Sequence, residues 1–251
     1  MRVAYSGQTG QIGSQLPEDF IKFGARLEDP HKFIDSELRN IRPDCFIHLA
    51  SMTDVTSCEK NKTRANYLNN VCSVKYYNLM ERNNVARFIY ISTSHVYQPT
   101  RSLKLLDVNS KKDPSSYYGI TKLRAERNLL EAAKKNKTEL IIARLFSVIT
   151  PDFRQGSLSY GISKRIEEKD FSPIPGLNKV RDFLNGSEVT QALVDLTKSV
   201  NPPSVVNICS GKAQSVEERV QMMFMQANED VANIKSKDGL VDFLVGKPTN
   251  F

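Results

Sequence analysis

Short, wholly apolar runs alternate along this chain with longer stretches in which apolar residues recur at helical spacing. The runs Val3–Ser6, Cys45–Ala50, Arg87–Ser92 and Leu140–Leu145 are too continuously apolar to leave one face wet, which predicts buried parallel strands. Amphipathic stretches over Gly13–Phe23, Pro30–Ile41, Ala65–Asn83 and Ser116–Lys135 predict the crossover helices between them. Strand and helix in that alternation predict an α/β, Rossmann-like, doubly wound parallel sheet over residues 1–150.

Beyond Pro151 the pattern breaks into shorter pieces. Turn chemistry is read at Ser172-Pro173-Ile174-Pro175-Gly176, Asn185-Gly186 and Asn201-Pro202-Pro203. Ser215, with Glu218 three residues on, forms a capping box that predicts a helix running to about Ala227. Residues 151–251 are therefore expected to form a small mixed α/β substrate-binding region, partly discontinuous, with some elements returning to the sheet.

Composition adds limits. Of 251 residues 40% are hydrophobic and 25% charged, which excludes a disordered or collagen-like chain. Met1 leads directly into an apolar strand, and no apolar run is long enough for a signal peptide or membrane span, so a cytoplasmic protein without a membrane partner is expected. The four cysteines are scattered without a C-x-x-C pair, and His31 and His48 lack partners at ligand spacing, so reduced thiols and no metal site are expected. The net charge of +7 is spread through mixed runs without interleaved aromatics. That distribution predicts a solvated basic surface with no nucleic-acid groove, and its field suits an anionic cofactor and substrate.

Three groups of residues carry chemistry. Gly7, Gly10 and Gly13, with Thr9, Gln11 and Ile12 between them, follow the first strand and are expected to open the first helix. A tight turn, close backbone approach to a pyrophosphate and close packing of helix on strand all call for glycine, and the helix N-terminus would add N–H groups and a positive dipole. The stretch Ile91–Tyr97 brings hydroxyls to the carboxyl end of a buried strand, the edge where open α/β sheets bind ligands. Tyr118 and Lys122 are four apart and share a helix face; a neighbouring ammonium favours the phenolate, so the pair can act as general acid or base.

In this order the three groups resemble the extended short-chain dehydrogenase/reductase family, the nicotinamide-dependent sugar-nucleotide epimerases, dehydratases and reductases. Phe46-Ile47-His48-Leu49-Ala50 is similar to the family's "HLA" strand and Leu68-Asn69-Asn70 to its "VN" helix motif. Arg144-Leu145-Phe146, Arg181-Asp182-Phe183-Leu184 and Val206–Gly211 are similar to its "RLFNVYG", "RDFIHVDD" and "NIGSG" segments. The resemblance implies Thr93, Tyr118 and Lys122 as the catalytic triad and a cofactor, NADP or NAD, lying on Gly7–Gly13 and Ala50 with Tyr118 and Lys122 at its nicotinamide end. It further implies Ser94, His95 and Arg181 toward the substrate, with Arg181 facing a sugar-nucleotide pyrophosphate; a structural ion pair is the rival role for that arginine. His95 is also weighed as an additional proton carrier.

Within the family, Thr9-Gly10-Gln11 and the segment 41–59 resemble the reductase group typified by dTDP-4-dehydrorhamnose reductase. Ser94-His95 stands where dehydratases carry Asp-Glu. The implied activity is reduction of the 4-keto group of a nucleotide-linked (6-deoxy)hexose in deoxysugar biosynthesis, with Tyr118 donating the proton, Thr93 bonding the alkoxide and Lys122 holding the ribose. A 4-epimerase recycling its NAD and a non-catalytic cofactor-binding subunit are the alternatives, and a homodimer is a candidate assembly. Two departures stand out. Only 31 residues lie between Gly13 and Cys45, which predicts a trimmed adenosine side where Arg26, Glu28 and Asp29 compete for the cofactor ribose. Ser147-Val148-Ile149-Thr150 replaces the family's Asn-Val-Tyr-Gly, so the loop near the nicotinamide is expected to differ.

Overall fold

The computed structural model describes residues 1–149, 157–237 and 241–251; Thr150 and the expected boundary at Pro151 lie outside the described residues. In chain order the first half contains β1 (Val3–Ser6), β2 (Ile21–Lys22), α1 (His31–Ile41), β3 (Cys45–His48), α2 (Val55–Lys60), α3 (Lys62–Asn66), α4 (Cys72–Arg82), β4 (Arg87–Thr93), β5 (Leu105–Leu106), α5 (Tyr117–Ala133), β6 (Glu139–Leu145) and β7 (Ser147–Ile149). The second half contains α6 (Leu158–Glu168), β8 (Ile174–Pro175), β9 (Val180–Arg181), β10 (Phe183–Asn185), α7 (Gly186–Lys198), β11 (Val205–Ile208), β12 (Gln214–Ser215), α8 (Val216–Gln226), β13 (Ser236–Lys237) and β14 (Phe243–Gly246).

The apolar runs form a six-stranded parallel sheet in the order β11-β6-β4-β3-β1-β2. One apolar layer, with Ile34, Leu38, Tyr76, Tyr77 and Leu129, packs α1, α4 and α5 against one face. The other face is covered by α7 through Val189, Leu193 and Leu196, together with Leu16 and Phe20. Burial of side chains of this kind stabilises by roughly 1.5–3 kcal/mol each, so both faces contribute to holding the sheet.

The first crossover departs from expectation. Gly13–Phe23 forms no α-helix: a three-residue 3-10 turn, Gly13–Gln15, is followed by an extended Leu16 at φ −65°, ψ 153°. Pro17 is the cause, because its ring disfavours the helical conformation at the residue before it and it has no N–H to donate. Leu16 and Phe20 still bury, as a loop where the helix was expected. Beyond β1 the sheet has only the two residues of β2, so the adenosine side is indeed short.

The stretch Ala65–Asn83 is helical but not uniform. A π-turn over Tyr67–Val71 joins α3 to α4 and brings both Asn69 and Asn70 into the interior. Asn185-Gly186, read as a turn, instead starts the 13-residue α7, with Asn185 and Glu188 forming a capping box. That signal was present in the sequence, as were Val189, Leu193 and Leu196 at helical spacing. The capping box at Ser215 and Glu218 opens α8 as expected. Outside the main sheet, a four-stranded sheet in the order β12-β9-β14-β5 and the pairs β10-β7 and β13-β8 lie among α6 and α8. Ile162, Leu177, Val220 and Phe224 form the apolar centre between α6, β8 and α8, while β5 and β14 pack through Leu106 and Leu244 against Tyr97 and Phe146.

Candidate active site

A cavity of about 800 Å³ gathers the glycine turn, Ala50, Thr93, Tyr118, Lys122 and Arg181. Its floor is the glycine turn. Gly7 has φ +80°, and a Cβ there would lie 2.9 Å from the Ala50 nitrogen; a Cβ on Gly13 would lie 2.2 Å from the Gly7 carbonyl oxygen. The turn closes through Gly10 N–H donating to Gly7 O at 2.9 Å. Among the described residues, the amides of Gln11 and Ile12 make no hydrogen bond. A turn with glycine at its close-approach positions and unpaired amides beside a cavity is a receptor for phosphate oxygens. The helix dipole expected behind it is missing, since three residues of 3-10 turn follow in place of a helix. The residues present thus fit the pyrophosphate of a nicotinamide dinucleotide through backbone amides alone.

Two elements converge on the opposite wall. β4 ends at Thr93, whose Oγ1 accepts the His95 amide at 3.3 Å and starts a 3-10 turn over Ser94–Val96. α5 starts at Ser116, whose hydroxyl accepts the Gly119 amide at 3.2 Å. Gly119 is the contact point: a Cβ there would lie 2.3 Å from the His95 carbonyl oxygen, so only glycine lets the first turn of α5 rest on the end of β4. This approach sets the Tyr118 phenol beside Thr93, both in the wall of the cavity. One turn on, Lys122 Nζ donates to the Ile91 carbonyl at 2.8 Å and stands 4.7 Å above the Tyr90 ring. Nothing in Tyr117-Tyr118-Gly119 as a sequence announces the part Gly119 plays.

Burial dominates the electrostatics. It raises the Tyr118 phenol to about 12, while the neighbouring Thr93 side chain pulls the other way. It lowers the Lys122 ammonium to about 7, opposed by the carboxylate of Glu126. The two side chains are both removed from water, and each resists its charged form; the Lys122 charge, expected to favour the phenolate, is not among the causes that shift Tyr118. Beneath them runs a buried polar chain. Glu126 takes a two-pronged ion pair from Arg144, at 3.0 and 2.7 Å, and the Ser92 hydroxyl at 2.5 Å. Arg144 continues to the Tyr97 hydroxyl, and Tyr97 to Asn207.

Not every expected site residue reaches the cavity. Ser94 is buried in the 3-10 turn, and His95 packs edge-on against Tyr118 with ring centroids 5.7 Å apart; neither lines the wall. Burial first, then Arg181 and Lys179, lower the His95 imidazole to about 4, so it is neutral and a poor proton carrier near pH 7. Arg26 is exposed and outside the lining, where Leu27 stands instead. Glu28 is paired with Arg64 at 3.0 Å, and the Asp29 carboxylate accepts the Arg26 amide at 2.8 Å. Arg181 lines the cavity and is ion-paired with Asp242, the structural role weighed for it. Lys179 also lines this end; it was missed because only its place two residues before Arg181 marks it. Asp182 accepts the amides of Ser210, Gly211 and Gly246, tying the strand that carries Arg181 to two other segments.

The model of the NAD dependent epimerase/dehydratase family matches residues 6–209, and the chain belongs to that family. It is similar to GDP-6-deoxy-D-mannose reductase of Pseudomonas aeruginosa, 24% identical over 189 residues; the match covers 72% of this chain and 62% of that reductase's length. GDP-6-deoxy-D-talose 4-dehydrogenase of Aggregatibacter actinomycetemcomitans is 25% identical, over 89% of this chain and 79% of the relative. Among solved structures, the UDP-glucose 4-epimerase of Thermotoga maritima superposes with a TM-score of 0.83 at 18% identity, covering 99% of this chain and 90% of that one. The dTDP-4-dehydrorhamnose reductase of Bacillus anthracis, in complex with NADP, gives 0.81 at 20% identity, covering 98% and 89%. The structural likenesses fix the fold, and the family match places the chain among the NAD dependent epimerases and dehydratases. Among the described residues, no helix is long and apolar enough to cross a membrane.

Proposed function

We propose that this chain reduces the 4-keto group of a nucleotide-linked 6-deoxyhexose at the expense of NADPH or NADH. The observation that carries the reading is Tyr118, a buried phenol raised to about 12, standing beside Thr93 in the wall of the cavity. A ketone reductase must begin with a protonated donor. An epimerase must begin with a base, to oxidise a sugar hydroxyl. Burial keeps Tyr118 protonated and so favours reduction. Elimination of water is disfavoured because a buried serine and a neutral histidine, not a carboxyl pair, follow Thr93.

When bound, the reduced nicotinamide supplies a hydride to the carbonyl carbon. Tyr118 gives its proton to the oxygen, and the Thr93 hydroxyl hydrogen-bonds the developing alkoxide. Lys122 spends one N–H on the Ile91 carbonyl and presents the rest to ribose hydroxyls. The unpaired amides of Gln11 and Ile12 hold the pyrophosphate. Arg181 and Lys179 meet the phosphates of the sugar nucleotide, with Arg181 held at the wall by Asp242. The test is nicotinamide absorbance with 4-keto-6-deoxyhexoses on dTDP, GDP, CDP and UDP. Oxidation with one carrier supports the reading, and constant absorbance with all of them, alongside conversion of a UDP-hexose to its C4 epimer, overturns it. The short adenosine side favours a second reading, a subunit that binds cofactor without turnover; saturable NAD(P)H binding with neither reaction would select it.

A further inference from the structure

We propose that the cavity enclosed by α6, α8 and the start of α7 is a second binding pocket, for an organic phosphate or carboxylate that carries an apolar body. Its volume is about 710 Å³, within the usual range for a small-molecule site. It shares only Ile149 and Ser159 with the wall of the catalytic cavity and contains none of Thr93, Tyr118, Lys122 and Arg181. Neither the reductase reading nor the glycine turn is needed for it.

The decisive feature is Arg219. It lies in the lining, its Nε is sealed from solvent, and it makes no hydrogen bond or ion pair among the described residues. Arg219 as a whole is half-buried, but its sealed Nε forfeits hydration without a hydrogen bond in return. No described residue supplies it with an anion, and its planar donors match a carboxylate or phosphate. Burial lowers its pKa, in keeping with a cation that has no counter-charge.

The rest of the lining defines what accompanies the anion. Met223 is one helical turn beyond Arg219, and Ile149 and Ile166 add apolar surface. Gly186 and Ser187, the first residues of the 13-residue α7, contribute the positive end of that helix. Glu167 is the one carboxylate in the lining, and it is exposed at the rim. A compact ring bearing one anionic group satisfies the interior: the anion on Arg219, the ring on Met223 and the isoleucines. Because Ser159 of α6 borders both cavities, the ligand would bear directly on a wall of the catalytic one.

Calorimetric titration of the whole chain with phenyl phosphate, benzoate and inorganic phosphate tests the proposal. At least one ring-bearing anion should saturate, and inorganic phosphate should bind at least about tenfold more weakly because the apolar wall is then unused. Arg219→Met should weaken the ring-bearing anion at least about tenfold through loss of the charge-assisted bonds. Met223→Trp, which keeps the arginine but fills the cavity, should do the same, with circular dichroism confirming that both variants are folded. Arg181→Met, in the other cavity, should leave binding unchanged. The preference for phenyl phosphate over benzoate, or the reverse, identifies which anion the pocket takes. The proposal is overturned if neither ring-bearing anion saturates, if inorganic phosphate binds equally well, or if Arg181→Met abolishes binding while Arg219→Met does not.

Discussion

Replacing Glu126 by leucine should destabilise the chain more than any single change at the rim of the catalytic cavity. Glu126 and Arg144 have side chains only 2% and 3% exposed and are joined by two hydrogen bonds. Removing the carboxylate leaves Arg144 with the Tyr97 hydroxyl and the Val108 carbonyl, neither of them charged, and leaves the Ser92 hydroxyl without its acceptor. Breaking a buried pair on one side costs about 3–5 kcal/mol, because the surviving charge is uncompensated. Domain stabilities run to only about 5–15 kcal/mol, so the loss is a large share of the total. Urea unfolding followed by far-UV circular dichroism suits a chain without tryptophan. The double variant Glu126→Leu/Arg144→Met should recover most of the loss, because the burial of an unpaired charge is then removed as well. A loss below about 1 kcal/mol for Glu126→Leu, or a double variant no better than the single, would show that Arg144 finds other compensation and refute the reasoning.

Further outcomes follow from the same geometry. Gly13→Ala places a methyl group against the Gly7 carbonyl, so nicotinamide-dinucleotide affinity measured by fluorescence should fall at least about tenfold while the far-UV spectrum is retained; unchanged affinity would mean that the turn is not the receptor. Tyr118→Phe should lower turnover about a hundredfold or more with little change in cofactor affinity, since only the proton donor is lost; turnover equal to wild type removes Tyr118 from the mechanism. His48 and His95 are held at about 3 and about 4 by burial, below the unfolded value, so the unfolded chain binds more protons as pH falls under about 6.5. Stability should therefore decline between about pH 6.5 and pH 4, each imidazole adding up to about 1.4 kcal/mol per pH unit. His95→Phe should remove its share of that slope in urea titrations at stepped pH, and an unchanged slope would contradict a buried neutral imidazole.

Much of this fold was legible because periodicity reports burial directly. The four long strands are apolar on both faces and sit inside the sheet, the amphipathic stretch from Ser116 becomes α5, and the capping box at Ser215 starts α8. What failed did so for local reasons. The amphipathic pattern of Gly13–Phe23 correctly marks Leu16 and Phe20 as buried, but a single Pro17 turns the same pattern into a loop. The two-residue strands β2, β5, β8, β9, β12 and β13 are too short for any period to register. In the site, the residue types and their order pointed to Thr93, Tyr118 and Lys122 sharing a cavity, whereas the shift of their proton affinities by burial was not legible, because burial is a property of the packed structure. Ser94 and His95 turn away because Thr93 caps a 3-10 turn immediately after the strand, a bend that composition does not reveal.

The most direct test of the proposed reduction follows the hydrogen itself. The chain would be incubated with reduced cofactor carrying deuterium at the transferable position and with the 4-keto-6-deoxyhexose nucleotide that supports oxidation, and the product analysed by proton NMR and mass spectrometry. One deuterium at sugar C4 per cofactor oxidised, with turnover falling about a hundredfold in Tyr118→Phe, is the result expected. A product that carries no deuterium at C4, or a C4 epimer formed without net oxidation of the cofactor, would contradict it.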